Sequence, residues 1–181
     1  MAGVSAHWLE EEYDTGAVIA SRTLDVDPSW NAWTLAKALD RPSLALLRRV
    51  VRDLAALGPG EKLPSIAQDA AHATSAPTPS DADLEIDWNC TCAQIARRVR
   101  AAAPYPGVFT ELAGQEFVLV SVASLPLSRE LAALVPGEMV VHGERPVVRA
   151  SDGGIEIRKA SVGDGPILEG STLVDLCRRA L

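Results

Sequence analysis

In the first quarter of the chain, two short apolar stretches flank an acidic one. The first ends near His7-Trp8-Leu9, the acidic run reads Glu10-Glu11-Glu12-Tyr13-Asp14-Thr15-Gly16, and the second runs from Ala17 to Leu24 with β-branched residues. This predicts strand, loop, strand. Asp27 then stands where an N-cap would accept from free helical amides, and Pro28 suits a first helical position, where its missing N–H leaves nothing unpaired. The helix is expected to continue to about Leu39, with Trp30 and Trp33 on one face. Pro42 ends it, and Ser43 starts a second helix. Its Leu44, Leu47, Val51, Leu54 and Leu57 recur at intervals of three and four and predict one core-facing stripe, opposite Arg48, Arg49, Arg52 and Asp53. Gly58-Pro59-Gly60 stops that helix.

From Glu61 to about Asp83 the apolar period disappears into Ala, Ser, Thr, Pro and Asp, the composition of a linker. Patterning resumes at Leu84-Glu85-Ile86-Asp87-Trp88. Thr91 and Gln94 have the spacing of a capping box, and Cys92, Ile95, Ala96, Val99 and Ala103 line one face of the helix they open, which Pro104 ends. Tyr105 and Phe109 flank Pro106-Gly107, where aromatic bodies pin a turn to a core. Short strands follow over 108–112, 115–122, 138–142, 146–150 and 155–160. They are separated by turns at Ala113-Gly114, Pro136-Gly137, His142-Gly143 and Asp152-Gly153-Gly154. Strands at this spacing suggest a small barrel. Residues 127–135 read as a helical excursion, and Ser171 caps a final helix with Leu173, Leu176 and Ala180 inward.

Composition narrows the picture. The 181 residues are 48% hydrophobic, enough for a real core, and carry a formal net charge of −7. That balance argues against a broad nucleic-acid footprint, which needs clustered Lys and Arg. Lysine is sparse, and the arginine and alanine bias points to a GC-rich bacterial genome. Three cysteines supply no disulfide framework and fit a reducing cytosol. With acidic residues near the N-terminus and no apolar run of membrane-spanning length, a cytoplasmic location is expected. Cys90-x-Cys92 lacks the further cysteines or histidines that would complete a tetrahedral zinc set, so no metal is expected and Cys92 reads as a small core residue.

Two ordered motifs carry a family resemblance. Gly3-Val4-Ser5-Ala6-His7-Trp8 followed by Asp14-Thr15-Gly16 resembles the D-x-G loop of the folate-dependent formyltransferases, the group that includes the methionyl-tRNA and glycinamide ribonucleotide enzymes. Further on, Ile86-Asp87-Trp88, Ala93-Gln94-Ile95, Val99-Arg100-Ala101 and Pro104-Tyr105-Pro106-Gly107-Val108-Phe109-Thr110 resemble, in order and spacing, the start of the C-terminal domain of the methionyl-tRNA formyltransferases. The resemblance weakens after about Leu125.

The resemblance implies a catalytic role for Asp14 and contact of Asp14, Thr15 and Gly16 with 10-formyltetrahydrofolate. Gly16 is expected to supply backbone angles closed to other residues, folding the chain back toward a ligand. Arg100 matches the family's arginine at its helix end and is expected to meet an anionic substrate. The family's N-x-H motif and the parallel-sheet region before it would lie upstream of Met1. His7 does not replace the missing histidine. The fold class implied is an α/β remnant of strands and two helices over 1–60, a linker over 61–83, and a small OB-like open β-barrel domain with helices over 84–181.

Two functions follow from this. One is transfer of a formyl group from 10-formyltetrahydrofolate to an amine, in a site completed by a second chain, with Asp14 in proton transfer. The other is a non-catalytic truncated relative serving as a binding or interaction module, with Asp14 as a turn residue. The acidic balance favours a small-molecule or peptide-linked amine over tRNA. Strands separated from a parallel sheet leave an open edge, so a homodimer or a partner chain is expected to cover it.

Overall fold

A computed structural model describes all 181 residues, which divide into two compact units, Met1–Pro77 and Thr78–Leu181. In the first, strand β1 (Ala2–His7) pairs antiparallel with β2 (Val18–Leu24), from Ala2 opposite Leu24 to His7 opposite Val18. Helix α1 (Ala32–Ala55) packs on this hairpin. β1 has no other partner strand. Ile66, in the stretch read as linker, exchanges both backbone bonds with Val18 at 2.8 Å, so that part of the chain pairs with β2.

The two expected helices are one. Pro42 lies inside α1, where it removes the N–H that would bond back to Ala38. Leu35, Ala38 and Leu39 before it are half-buried, and burial of Leu46 and Val50 beyond the proline offsets the loss. The N-cap is Asn31, whose side chain accepts from the Thr34 N–H at 2.8 Å. Asp27 instead closes a turn onto the N–H and hydroxyl of Ser29. Trp30 therefore precedes the helix and shares no helical face with Trp33.

The stripe read as core is also displaced. Leu46 and Val50 are buried, whereas Leu44, Leu47 and Val51 are 53%, 57% and 55% exposed. At 3.6 residues per turn, Leu54, Leu47, Val51, Trp33 and Leu44 cover an arc of roughly 80° beside the buried one. Sequence periodicity locates an apolar half-circumference but not which part of it the hairpin covers.

The second unit is built on an antiparallel sheet in the order β3-β4-β7-β6-β5, with a short β8 (Leu168–Glu169) on β7. The strands are β3 (Val108–Leu112), β4 (Gln115–Pro126), β5 (Met139–His142), β6 (Arg145–Arg149) and β7 (Gly153–Val162). A helical turn, α2 (Asp81–Leu84), opens the unit. α3 (Cys92–Ala102) carries the expected Thr91/Gln94 capping box and buries Cys92, Ile95, Ala96 and Val99. Residues 127–135 contain only one 3-10 turn, Leu131–Ala133. The last helix, α4 (Gly170–Ala180), has Glu169 rather than Ser171 at its N-cap position, with no side-chain capping bond, and buries Leu173, Val174 and Cys177.

Phe117, Leu119, Ile155 and Ile157 are all but fully buried in the core between sheet and helices, each contributing about 1.5–3 kcal/mol by burial. The Ile86-Asp87-Trp88 motif anchors the chain to it. Ile86 donates its N–H to Phe109, the Trp88 indole donates to Thr110 Oγ1 at 2.8 Å, and Asp87 caps the Asn89 N–H. Tyr105, expected to pin a turn, is 88% exposed.

Candidate functional site

The Asp14 loop joins β1 to β2 and is closed at its base by the Trp8 N–H to Ala17 carbonyl bond, 3.0 Å. Its conformation divides the glycine's expected role between two residues. The left-handed φ belongs to Asp14, at +59°, a conformation that short polar side chains tolerate better than most. Gly16 is needed for a different reason: a Cβ there would stand 1.7 Å from the Trp8 carbonyl oxygen. Only a residue without a side chain permits that approach.

Three further contacts hold the loop. The Thr15 hydroxyl donates to the Glu12 carbonyl at 2.9 Å. The Gln68 side-chain amide donates to the carbonyls of both Asp14 and Gly16, each at 2.7 Å. The third is His7, at the end of β1. A carbonyl only accepts, so His7 Nδ1 donates to Trp8 O at 2.9 Å and turns Nε2 toward Asp14 Oδ1, 3.6 Å away. When Nε2 is protonated the two form an ion pair. The Asp14 side chain is 94% exposed. The loop thus presents a carboxylate to solvent on a fixed backbone, beside one imidazole, and such a group can order a water or take up a proton.

The structure brings Asp14, Thr15 and Gly16 together with His7 and Gln68. The sequence puts His7 on the strand approaching the aspartate without revealing their contact, and Gln68 falls in the stretch of linker composition. No local signal marks a glutamine whose partners lie 54 and 52 residues away.

Arg100 belongs to the second unit, in the last turn of α3, where a cation complements the helix dipole. Its neighbour Arg98 is more closely tied down, with Nη1 donating to the Glu85 carbonyl at 2.6 Å. Arg97 and Arg98 border a cavity of about 240 Å³ with Asp87, Cys90 and Gln94. Cys92 lies beneath this helix start, its backbone N–H donating to Asp152 Oδ1 at 2.7 Å and its thiol to the Gly154 carbonyl. Burial, then the adjacent Asp152 carboxylate, pushes that thiol up to about 11. Such a thiol stays protonated and unreactive at neutral pH.

Residues 80–176 match the family profile described as formyl transferase, C-terminal domain. The chain belongs to the formyltransferase family. Similar proteins include the methionyl-tRNA formyltransferase of Synechococcus sp. strain JA-3-3Ab, 33% identical over 165 residues that make up 88% of this chain and 49% of the relative. The methionyl-tRNA formyltransferase of Corynebacterium jeikeium is 34% identical over 158 residues, 87% of this chain and 46% of the relative. The chain thus spans about half the length of the relatives it matches.

Among solved structures, HypX from Aquifex aeolicus in complex with tetrahydrofolic acid superposes with a TM-score of 0.73 at 20% identity. The match covers 95% of this chain and 29% of HypX, and it is a likeness of fold. The Ile86–Thr110 motifs fall within the matched family domain, and the Asp14 loop lies before it. No helix is long and apolar enough to cross a membrane.

Proposed function

We propose that this chain contributes the aspartate loop and the C-terminal domain of a formyl-transfer site, in which a formyl group passes from 10-formyltetrahydrofolate to an amine. The observation that carries the reading is the Asp14 loop itself, whose carboxylate is left free for solvent while Gln68, Thr15 and Gly16 fix the backbone beneath it. The folate supplies the formyl carbon. As the amine nitrogen bonds to that carbon and the carbon's bond to N10 breaks, the proton shed by the amine passes through a water ordered by Asp14 and ends on N10. His7 acts as a positioning residue for the carboxylate, Thr15 and Gly16 border the folate, and Arg100 meets an anionic part of the acceptor.

In this reading the second unit is an open barrel of the OB type, and the protein works in the cytoplasm. The net charge of −7 favours a small-molecule or peptide-linked amine over tRNA. The rest of the site is supplied by a companion chain. It covers the exposed arc of α1 and the open edge of β1.

The test is a chimera in which this chain replaces the aligned half of the Synechococcus relative, assayed with 10-formyltetrahydrofolate against tRNA and small amines. Transfer is expected, falling about 10²–10⁴-fold with Asp14→Ala. A folded chimera that binds folate yet transfers nothing overturns the catalytic reading. One observation favours the second reading, a non-catalytic binding module: the family profile matches residues 80–176, which leaves the Asp14 loop outside the matched domain. A chimera whose activity is indifferent to Asp14→Ala would support that role.

A further inference from the structure

The second unit contains a cavity unconnected with the Asp14 loop. It has a volume of about 460 Å³ and lies between residues 125–131 and the β5–β6 hairpin, walled by Leu125, Pro126, Leu131, Val140 and Val147. Leu131 and Val147 are buried, so its floor belongs to the packed structure. The segment above it is fastened. Leu131 N–H donates to Ser128 Oγ at 3.2 Å, Val135 N–H to Glu138 Oε2 at 2.9 Å, and Glu130 Oε2 meets His142 Nδ1 on β5 at 2.7 Å. The cavity is therefore already formed without an occupant, and its volume falls within the roughly 300–1,000 Å³ of small-molecule sites.

The rim gives the sign of the occupant. Its one acid, Glu130, is engaged by His142. Of its two arginines, Arg129 has no carboxylate within ion-pairing distance, and Arg145 reaches Glu156 only at 3.6 Å. An apolar chamber with two under-committed guanidinium groups at its mouth fits a molecule with an apolar body and one anionic end.

We infer that this cavity is a binding site for a small amphipathic monoanion, an aryl or medium-chain carboxylic acid, whose hydrocarbon enters between Leu131 and Val147 while its carboxylate meets Arg129 and Arg145. The site is independent of the formyl-transfer reading.

The probe is 2-naphthoate, titrated into the full chain and followed by calorimetry and by amide NMR shifts. Saturable binding is expected, with shifts concentrated at Val140, His142 and Val147. Arg129→Gln, which breaks no ion pair, and Arg145→Gln should each weaken it about tenfold. Neutral 2-naphthalenemethanol should lose a similar factor, acetate should not bind, and Val140→Phe should block the chamber. Leu47→Glu, on the exposed arc of the first unit, should leave 2-naphthoate binding unchanged. Near-ultraviolet circular dichroism confirms that each variant is folded. The inference is overturned by absence of saturable binding at millimolar probe, by shifts elsewhere, or by binding indifferent to both arginine substitutions and to Val140→Phe in folded protein.

Discussion

The side-chain amide of Gln68 donates to the carbonyl oxygen of Asp14 at 2.7 Å, across 54 residues of chain. With its second bond to Gly16, it holds the loop from a segment without regular structure of its own. Gln68→Ala should leave the hairpin folded but cost about 1 kcal/mol locally, as loss of a partly solvated hydrogen-bonded clamp does. Faster amide exchange at Thr15 and Gly16, with unchanged exchange in the second unit, is the expected readout.

Gly16 is a harsher test. Because its missing Cβ would lie 1.7 Å from the Trp8 carbonyl, Gly16→Ala must separate two backbone segments, while Gly58→Ala meets only Glu61 side-chain atoms at 3.5 Å or more. Gly16→Ala should destabilise the first unit by several times the cost of Gly58→Ala, which falls near 0.5 kcal/mol or below. Denaturant melts of the two variants, compared at equal slope, measure the difference.

The exposed arc of α1 predicts association. Leu44, Leu47 and Val51, each more than half exposed, lie on one helix face beside Trp33, whose ring carries Lys37 Nζ at 5.2 Å from its centroid. By light scattering the purified chain should be a dimer or larger, and Leu47→Glu should make it monomeric with its helix content intact. A monodisperse wild-type monomer at micromolar concentration contradicts a self-associating face.

In the second unit, the indole N–H of Trp88 is buried and depends on Thr110 Oγ1. Thr110→Val keeps the shape but orphans the donor, at a cost of about 1–3 kcal/mol. Equilibrium unfolding monitored by tryptophan fluorescence reports this directly.

Acid sensitivity is expected at Asp152, whose carboxyl is held below its ordinary range, first by the Cys92 backbone N–H and then by the Cys92 thiol. A depressed carboxyl contributes stability that is present above its unfolded value, about 3.9, and lost as pH falls through the folded value. Asp152→Asn should therefore be less stable than wild type at pH 7, with the difference closing below about pH 4. Melts at pH 7, 5 and 3 follow it.

Much of this architecture was legible in the sequence, and the exceptions have physical causes. The strands from Val108 onward fall between the turns expected of them, because turn signals are locally encoded, although β4 and β7 run longer than expected. The Thr91/Gln94 box was readable for the same reason: its partners are three residues apart. Pro42 does not end the helix because burial of Leu46 and Val50 beyond it outweighs one missing backbone bond, and the Leu44–Val51 stripe is displaced because periodicity marks apolar faces, not what covers them. At the candidate site, Asp14 was identifiable from its loop. Its support by Gln68 and the approach of His7 depend on tertiary contacts, which composition and spacing do not record.

The central claim is that the Asp14 loop touches the reduced folate. The most direct measurement is an amide NMR titration of the chain with 5-formyltetrahydrofolate, a stable isomer of the donor, repeated with Asp14→Ala. Saturating shifts confined to Asp14, Thr15, Gly16 and their neighbours, lost in the variant, are the predicted result. Shifts absent from this loop, or unchanged by the substitution, would contradict the account.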